Sequence, residues 1–345
     1  MNSITIERSG LLSTIQDDGR FNLRHLGIPW SGCMTPVWQK ISNALVGNKF
    51  THSVIECWEG GLQFTTGDES LRLAVAADLA VIMTIEADSY SVKLSPFRSY
   101  TAPPHSTIKL KSTGDFRHAI VAITGLDVAQ QLGSSATYTK AGLGGINGSA
   151  LKAGDTLAVA IAPIGTERLC TNPLTNAYKS GELRVVLGPQ EDHFSEEGIN
   201  KLLNSDYMLG SDADRMGVRL AGPEVLHKNA ASKDIVSDAI VPGSIQVPGT
   251  GQPIVLLRDA HTAGGYPKVA TVVSIDLPLL GLQRSGSVFQ FRAISIDEAI
   301  DSARQQKIDV DFALQNLKHV VELSLTTETL LSNNLIDGVT NGDVL

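Results

Sequence analysis

"LRLAVAADLAVIM" (Leu71–Met83) is the stretch on which the fold turns. It is apolar, short, and broken by an aspartate. The segments after it repeat the form: "SYSVKL" (89–94), "STIKLKS" (106–112) and "HAIVAITG" (118–125), divided by Gly, Asp, Ser and Pro. Strands at such short spacing predict an all-β barrel or sandwich. Working outward, "SITIERSG" (3–10) alternates and then turns, and "ALKAGDTLAVA" (150–160) reads as a further strand with its turn. "LRVVLGP" (183–189) is another strand. "SIQVPGTGQPIVLL" (244–257) reads as a hairpin turning at "PGTGQP", and "TVVSIDLPLLGLQRSGSVFQFRAI" (271–294) closes the β region.

Helices are few. In "TPVWQKISNALVGN" (35–48), Thr35 is placed to cap, Pro36 sits at the first helical position and Gly47 can end the helix. "SEEGINKLLNS" (195–205) is a short helix capped by Ser195, with Glu196 and Glu197 at its positive end. Ser295 and Glu298 form a capping-box pattern that opens a helical tail to about residue 321, and "LSNNLIDGVTNGDVL" is expected to fray. The polar connection "IAPIGTERLCTNPLTNAYKSGE" (161–182) has no periodicity. The expected organisation is therefore a first β subdomain over 1–175, a second over 176–295, and a helical tail over 296–345.

Composition excludes several classes of function. With 345 residues there is material for one large or two medium domains. Charged residues are only 19% and the net charge is −8, with no dense Lys/Arg block, so binding to nucleic-acid phosphates is not expected. Three irregularly spaced cysteines make no disulfide framework and suit a reducing compartment. The chain shows no signal-peptide pattern near "MNSITIERSGLL" and no apolar run of membrane-spanning length. A cytoplasmic protein without a membrane partner is expected.

No phosphate loop, GxSxG elbow or metal-spaced histidine pair is present. "GLGGIN" (142–147) has the glycines of a phosphate cradle, but no Lys-Ser/Thr follows, and it reads as a rim loop. No metal is expected. The functional groups gather instead in four clusters at the ends of apolar strands. The first, "TIQDDGRFNLRHLGIPWSG" (14–32), carries Gln16, Asp17, Arg20, Arg24 and His25. The second, "GPQEDHF" (188–194), carries Gln190, Glu191, Asp192 and His193. The third, "DADRMGVRL" (212–220), carries Asp214 and Arg215. The fourth, "RDAHTAGGYPK" (258–268), carries Asp259, His261, Tyr266 and Lys268. Each cluster alone also fits a capped turn or a solvated ion pair. Four of them from separated parts of the chain suit one pocket. Asp259 and His261 share a face at a spacing of two, which fits an acid–base dyad or an ordinary rim histidine. Gly264 and Gly265 allow close backbone approach to a ligand, with Tyr266 and Lys268 projecting into the site.

Together "LGPQEDHF", "DRMGVRLAGP", "IVPGSIQVPGTGQPIVLLRDAHTAGGYPKVATV" and "TIQDDGRFNLRHLGIPWSGCM" resemble the biotin-dependent carboxyltransferase family that includes allophanate hydrolase subunit 2, KipA and the C component of 5-oxoprolinase. The resemblance covers about residues 8 to 300. It implies a mainly β fold of cyclophilin-like barrel halves with few helices. It also implies a subunit of a 5-oxoprolinase that opens 5-oxoproline to glutamate, with KipI-like and LamB/YcsF-like partner subunits, and with ATP used by the complex. Two alternatives follow from the same resemblance. One is a carboxyltransferase acting on urea or a similar amide, served by carboxybiotin on a separate carrier. The other is a non-catalytic regulator that binds a KipI-like kinase inhibitor. Within the family reading, Arg215 and Lys268 are expected to stabilise charge, and Asp192 and His193 to handle or orient protons. Gln16, Asp17, Arg20, His25, Gln246, Asp259, Gly264, Gly265 and Tyr266 are expected to position substrate. Where the family reads "SGAMD", "GSRST" and "TTGGYP", this chain has "SGCMT", "GSSAT" and "TAGGYP". The departures are Thr35 for an acid, Ser135 for an arginine and Ala263 for a threonine, and His261 stands where glutamine is usual.

Overall fold

The computed structural model describes residues 2–320, apart from 89, 164, 166, 179 and 180. The predicted strands are present, and they build two bodies of β structure. In the N-terminal half a six-stranded sheet runs in the order Thr156–Ala158, Ser3–Ser9, Leu62–Thr66, Thr107–Ser112, Ile82–Ala87, Tyr90–Lys93. A five-stranded sheet runs Leu12–Gln16, Val54–Trp58, His118–Ile123, Leu71–Ala76, Ser99–Ala102. The stretch Leu71–Met83 thus turns at Asp78 and feeds one strand to each sheet. The Asp78 carboxylate accepts the Ala80 amide at 2.8 Å and so fixes that turn.

The strands Val54–Trp58, Leu71–Ala76 and His118–Ile123 are buried on both faces. Their near-continuous apolar runs are what two covered faces require. Ile55, Cys57, Leu73, Val75, Ala119 and Val121 pack against the six-stranded sheet. The alternate residues Val54, Trp58, Ala74, Ala76 and Ile120 face the other way. There they meet α1 (Pro36–Val46) and share one core with the C-terminal half. Period-2 geometry therefore sends Glu56 and His118, embedded in these strands, toward the C-terminal half.

That half is a closed seven-stranded barrel, in the order Glu182–Leu187, Lys268–Val272, Ser244–Gln246, Ile254–Leu256, Gly217–Ala221, Tyr207–Ala213, Val288–Ala293. The ring closes by parallel pairing of Glu182–Leu187 with Val288–Ala293, and its other pairings are antiparallel. The expected hairpin is there, with Ile245 opposite Val255.

Helix expectations hold except in three details. Ser195 caps α2 (Glu196–Leu203) through the Gly198 amide, and Ser295 and Glu298 close a full capping box on α4 (Ile296–Gln315). Thr35, however, makes no cap bond to α1. Its hydroxyl lies 3.2 Å from His118 Nε2, a partner distant in sequence. The segment read as purely β around residue 280 contains α3 (Leu277–Leu282), buried at every position. Lastly, α4 ends at Gln315, and Lys318–His319 then pairs with Arg168–Leu169. The expected fraying of "LSNNLIDGVTNGDVL" lies outside the described residues. All three cysteines are free and buried. Among the described residues no helix is long and apolar enough to cross a membrane.

Candidate functional site

Several arginines cross the seam between the two halves, and Arg215 is the most deeply buried of them. Arg215 sits in the turn between Tyr207–Ala213 and Gly217–Ala221. Asp214 shapes that turn by accepting the Met216 and Gly217 amides at 2.8 and 3.1 Å, which leaves Arg215 free to point inward. Its guanidinium grips Asp259 with two bonds, Nε at 2.9 Å and Nη2 at 3.1 Å. Nη1 donates to Glu56 at 2.5 Å, and Nη2 also reaches the Gly32 carbonyl at 2.6 Å and Gln16 Oε1 at 3.3 Å. Strand, loop and barrel are thus joined through one side chain that is only 6% exposed.

The two carboxylates differ. Burial pushes Glu56 up, but Arg215, His118, the Met34 amide and the Trp58 indole together hold it below the usual glutamate range. The two neutral donors are at 2.7 and 2.9 Å. Asp259 accepts two side-chain bonds from Arg215, and burial there outweighs the cation and raises it. Burial also lowers Arg215, but Asp259 and Glu56 reverse that and hold it above its ordinary value. Burial is likewise the leading influence on His118, keeping it neutral to lower pH than a free histidine.

Beside this knot, Asp17 is saturated. It accepts the Gly19 amide at 2.8 Å, Ser134 Oγ at 2.6 Å, and both the Ser135 amide and hydroxyl at 2.7 and 3.0 Å. Ser135, where the family pattern has arginine, also lies 2.7 Å from Ser53 Oγ. Arg20 donates to the Gln131 and Ser134 carbonyls at 3.0 and 3.2 Å, while its buried Nη1 finds no protein partner among the described residues. Arg24 reaches across to the Ile240 and His261 carbonyls. These residues anchor the loops at 17–32 and 131–145 onto the seam. Gly32 is required there: at φ +82°, a Cβ would lie 2.7 Å from the Asp18 carbonyl.

A second polar centre sits on the barrel rim. Lys268, opposite Gln246 across two strands, is only 2% exposed. Its Nζ donates to Asp238 at 2.7 Å and to the Ala239 carbonyl at 2.8 Å. Gln190 brackets the pair: Nε2 donates to Asp238 at 2.9 Å, and Oε1 accepts the Lys268 amide at 3.1 Å. The Lys268 bond leads the causes that hold Asp238 below the usual aspartate range. Asp238 itself is half exposed. The strand Asp238–Ala239 pairs with Ala263–Gly264, and a Cβ on Gly264 would meet Ile240 at 2.6 Å and Gln246 at 2.8 Å. The Gly265 carbonyl accepts the Ile235 amide at 2.9 Å, and the Tyr266 carbonyl accepts from Gln246 at 3.4 Å, with the Tyr266 ring exposed.

The structure therefore brings the expected residues into two groups. Gln16, Arg215 and Asp259 form the knot, with Asp17 and Arg20 beside it. Lys268, Gln246, Gly264, Gly265 and Tyr266 form the rim. Three residues join neither group. His25 and Asp192 are exposed, and His193 donates Nδ1 to the Ser232 carbonyl at 3.0 Å. Asp259 and His261 are not a dyad, since Asp259 is buried on Arg215 and His261 is exposed. Sequence reading missed Glu56, Asp238 and the Gly32 carbonyl. A lone carboxylate in the buried run "VIECW" was the signal for Glu56.

The glycines of "GLGGIN" serve their own chain. A Cβ on Gly144 would strike the Ala136 carbonyl and Arg20, and one on Gly145 the Thr137 hydroxyl. The Gly142, Leu143, Gly144 and Gly145 amides donate to oxygens of the same chain. Among the described residues no cluster of three or more His, Cys, Asp or Glu is arranged to hold a metal.

Comparison with known proteins agrees with the motifs. Residues 26–293 match the carboxyltransferase domain, subdomain A and B. The chain is 31% identical over 309 residues to the C component of the 5-oxoprolinase of Escherichia coli (strain K12), covering 88% of this chain and 95% of that protein. It is 31% identical over 302 residues to the same component in Haemophilus influenzae, covering 87% and 94%. The solved urea amidolyase of K. lactis superposes with a TM-score of 0.80 at 22% identity, over 95% of this chain and 20% of that one, a likeness of fold. The chain belongs to the carboxyltransferase subdomain A and B family.

Proposed function

We propose that this family member is the C-type subunit of a 5-oxoprolinase, opening the lactam of 5-oxoproline to glutamate. The observation that carries the reading is identity of 31% along nearly the whole length of a protein named for that role. The complex would include KipI-like and LamB/YcsF-like subunits in the cytoplasm. Hydrolysis of ATP to ADP and phosphate, which drives the ring opening, is assigned to those partners.

The proposed chemistry is short. Water adds to the lactam carbonyl, the ring C–N bond breaks, and the nitrogen takes a proton to become an amine. Negative charge develops on the carbonyl oxygen as water adds, and a preorganised cation lowers that barrier. Lys268 is the cation we assign to it. Its ammonium sits at the rim on a half-exposed carboxylate, which can rehydrate when the lysine turns to substrate. Gln190 and Gln246 orient the rim, and Tyr266 is exposed beside it. Arg215 receives a different role from the one its motif suggested. It holds the seam, with its N–H groups already committed. Asp192 and His193 keep a proton-handling role only if a partner protein or substrate draws them in. The subdomain organisation we propose remains 1–175, 176–295 and 296–345.

The family's description as a carboxyltransferase domain favours a second reading, in which the same rim serves carboxyl transfer from a separate carboxybiotin carrier to a urea-like amide. Glutamate release from 5-oxoproline and ATP, measured with the KipI-like and LamB/YcsF-like partners in the presence and absence of this chain, decides between them. Release that depends on the chain supports the first reading. A stable complex without release removes it, and carboxylation of urea by a biotinylated carrier then tests the second.

A further inference from the structure

A two-stranded ribbon covers Lys268 at the rim. Asp238–Ala239 pairs with Ala263–Gly264, and the Asp238 carboxylate and the Ala239 carbonyl both accept from the buried ammonium. The ribbon's further bonds run from the Ile240 amide to the Thr262 carbonyl at 3.0 Å and from the Ile235 amide to the Gly265 carbonyl at 2.9 Å. These join its strands to each other and do not fix it to the N-terminal half. Arg24 does that. Its Nε and Nη2 donate to the Ile240 carbonyl at 3.1 and 2.5 Å, and Nη2 also donates to the His261 carbonyl at 3.0 Å. One guanidinium thus bridges both strands at the foot of the ribbon.

Arg24 is itself held. It opens a single helical turn, Arg24–Leu26, which ends where the Gly27 amide donates to the Arg24 carbonyl at 3.0 Å. Its guanidinium lies 5.6 Å from the centre of the Trp30 ring. Burial lowers its pKa and no carboxylate offsets that. Nη1 is buried with no hydrogen-bond partner among the described residues. Drawing a cation in for two neutral carbonyls costs stability, and what the fold gains is a fixed ribbon. The link onward to Lys268 is short. The Ala239 carbonyl accepts from Lys268, and the next carbonyl along the chain, that of Ile240, accepts from Arg24. Two planar peptide units meet at the Ile240 Cα, and the Ile240 side chain is buried with Leu256 and Ala260. A shift at the Arg24 end therefore moves the oxygens that hold the ammonium.

We propose that Arg24 is a positioning residue for Lys268: by gripping both strands of the ribbon from the other half of the molecule, it sets where Asp238 and the Ala239 carbonyl hold the ammonium. The inference rests on the reading above, in which Lys268 is the cation that meets the developing negative charge. Such a cation works by being in place beforehand, and misplacement by about 1 Å can cost about a hundred-fold in rate. The working centre on the barrel therefore depends on the docked N-terminal half, through a side chain that reaches Lys268 by way of the ribbon.

Trace acetylation of the full chain with acetic anhydride, read lysine by lysine by mass spectrometry, tests this without any assay of activity. In wild type Lys268, 2% exposed, should label slowly beside the exposed Lys140 and Lys307. Arg24→Met should raise the labelling of Lys268 about ten-fold while leaving Lys140 and Lys307 unchanged, as a local opening does. Arg24→Lys, which keeps the charge and loses the fork, should fall between. In the glutamate-releasing complex, Arg24→Met should lower kcat about ten- to hundred-fold and leave KM within about three-fold. If the wild-type complex releases no glutamate, the functional reading fails while the labelling still decides whether Arg24 positions Lys268. Should Arg24→Met not fold, Arg24→Lys gives the same comparison at smaller amplitude. Unchanged labelling of Lys268, a rise shared by all three lysines, or a wild-type kcat in a variant whose Lys268 has been uncovered overturns the proposal.

Discussion

The seam knot and the barrel rim use the same chemistry, a cation on carboxylates, and put it to opposite uses. At the seam, Arg215 is shared by Glu56 and Asp259, and both acids are buried with it. At the rim, Lys268 is equally buried, but Asp238 is half exposed. Removing a seam partner strands a charge away from water. Removing the rim lysine strands a carboxylate that water can reach at once. An ion pair can be released for chemistry only if both partners have somewhere to go. On that difference rests the proposal that the knot is a structural tie and the rim a working centre.

The largest effect that could break this comparison is at the knot. Arg215→Leu is expected to cost about 3–5 kcal/mol, because Glu56 and Asp259 are left buried without their counter-charge. Chemical denaturation should show the loss, and a variant of unchanged stability would remove the structural role. Next is Lys268→Met, which keeps the packing stem and removes the charge. Stability should change by no more than about 1 kcal/mol. Glutamate release should fall about a hundred-fold or more, the scale of losing one charge-stabilising donor.

A pH scan sharpens the contrast. His118 is held below the 6.5 of a free histidine, so the unfolded chain takes up a proton that the folded chain refuses. Stability should fall as pH drops through 6.5. Glu56 is held below 4.5, so its stabilising share is present above that pH and is lost as pH falls through its lower folded value. Wild type should melt above Glu56→Gln by a steady margin near neutrality, and the gap should close only as pH falls below 4.5. A gap that is absent near neutrality would contradict the assignment. The smallest effect is expected from Gln190→Ala, about 1 kcal/mol at most, from one hydrogen bond to the Lys268 amide and one to the half-exposed Asp238 carboxylate. It should reduce glutamate release less than Lys268→Met does.

Much of the fold was legible because strands covered on both faces leave continuous apolar runs, and caps such as Ser195 and Ser295 act within three residues. What was hidden acts at long range or without periodicity. Every residue of α3 is buried, so "LPLLGL" carries no amphipathic signal to separate helix from strand. Thr35 looked like a cap because its neighbours fit one, but its partner His118 is on a strand of the five-stranded sheet. Arg215, Asp259 and Lys268 stood out as polar groups at strand ends. Their partners did not: Glu56 lies 159 residues from Arg215, and Asp238 lies on a two-residue strand 30 residues before Lys268. The sequence displayed the cations, and only the fold showed which of them were already spent.

The most direct test is ATP-dependent glutamate release by the reconstituted complex carrying Lys268→Met, with the chain's melting temperature measured on the same preparation. The account predicts a folded, assembled protein whose complex is nearly silent. A complex that releases glutamate at the wild-type rate with Lys268 gone would contradict the assignment of the rim as the working centre.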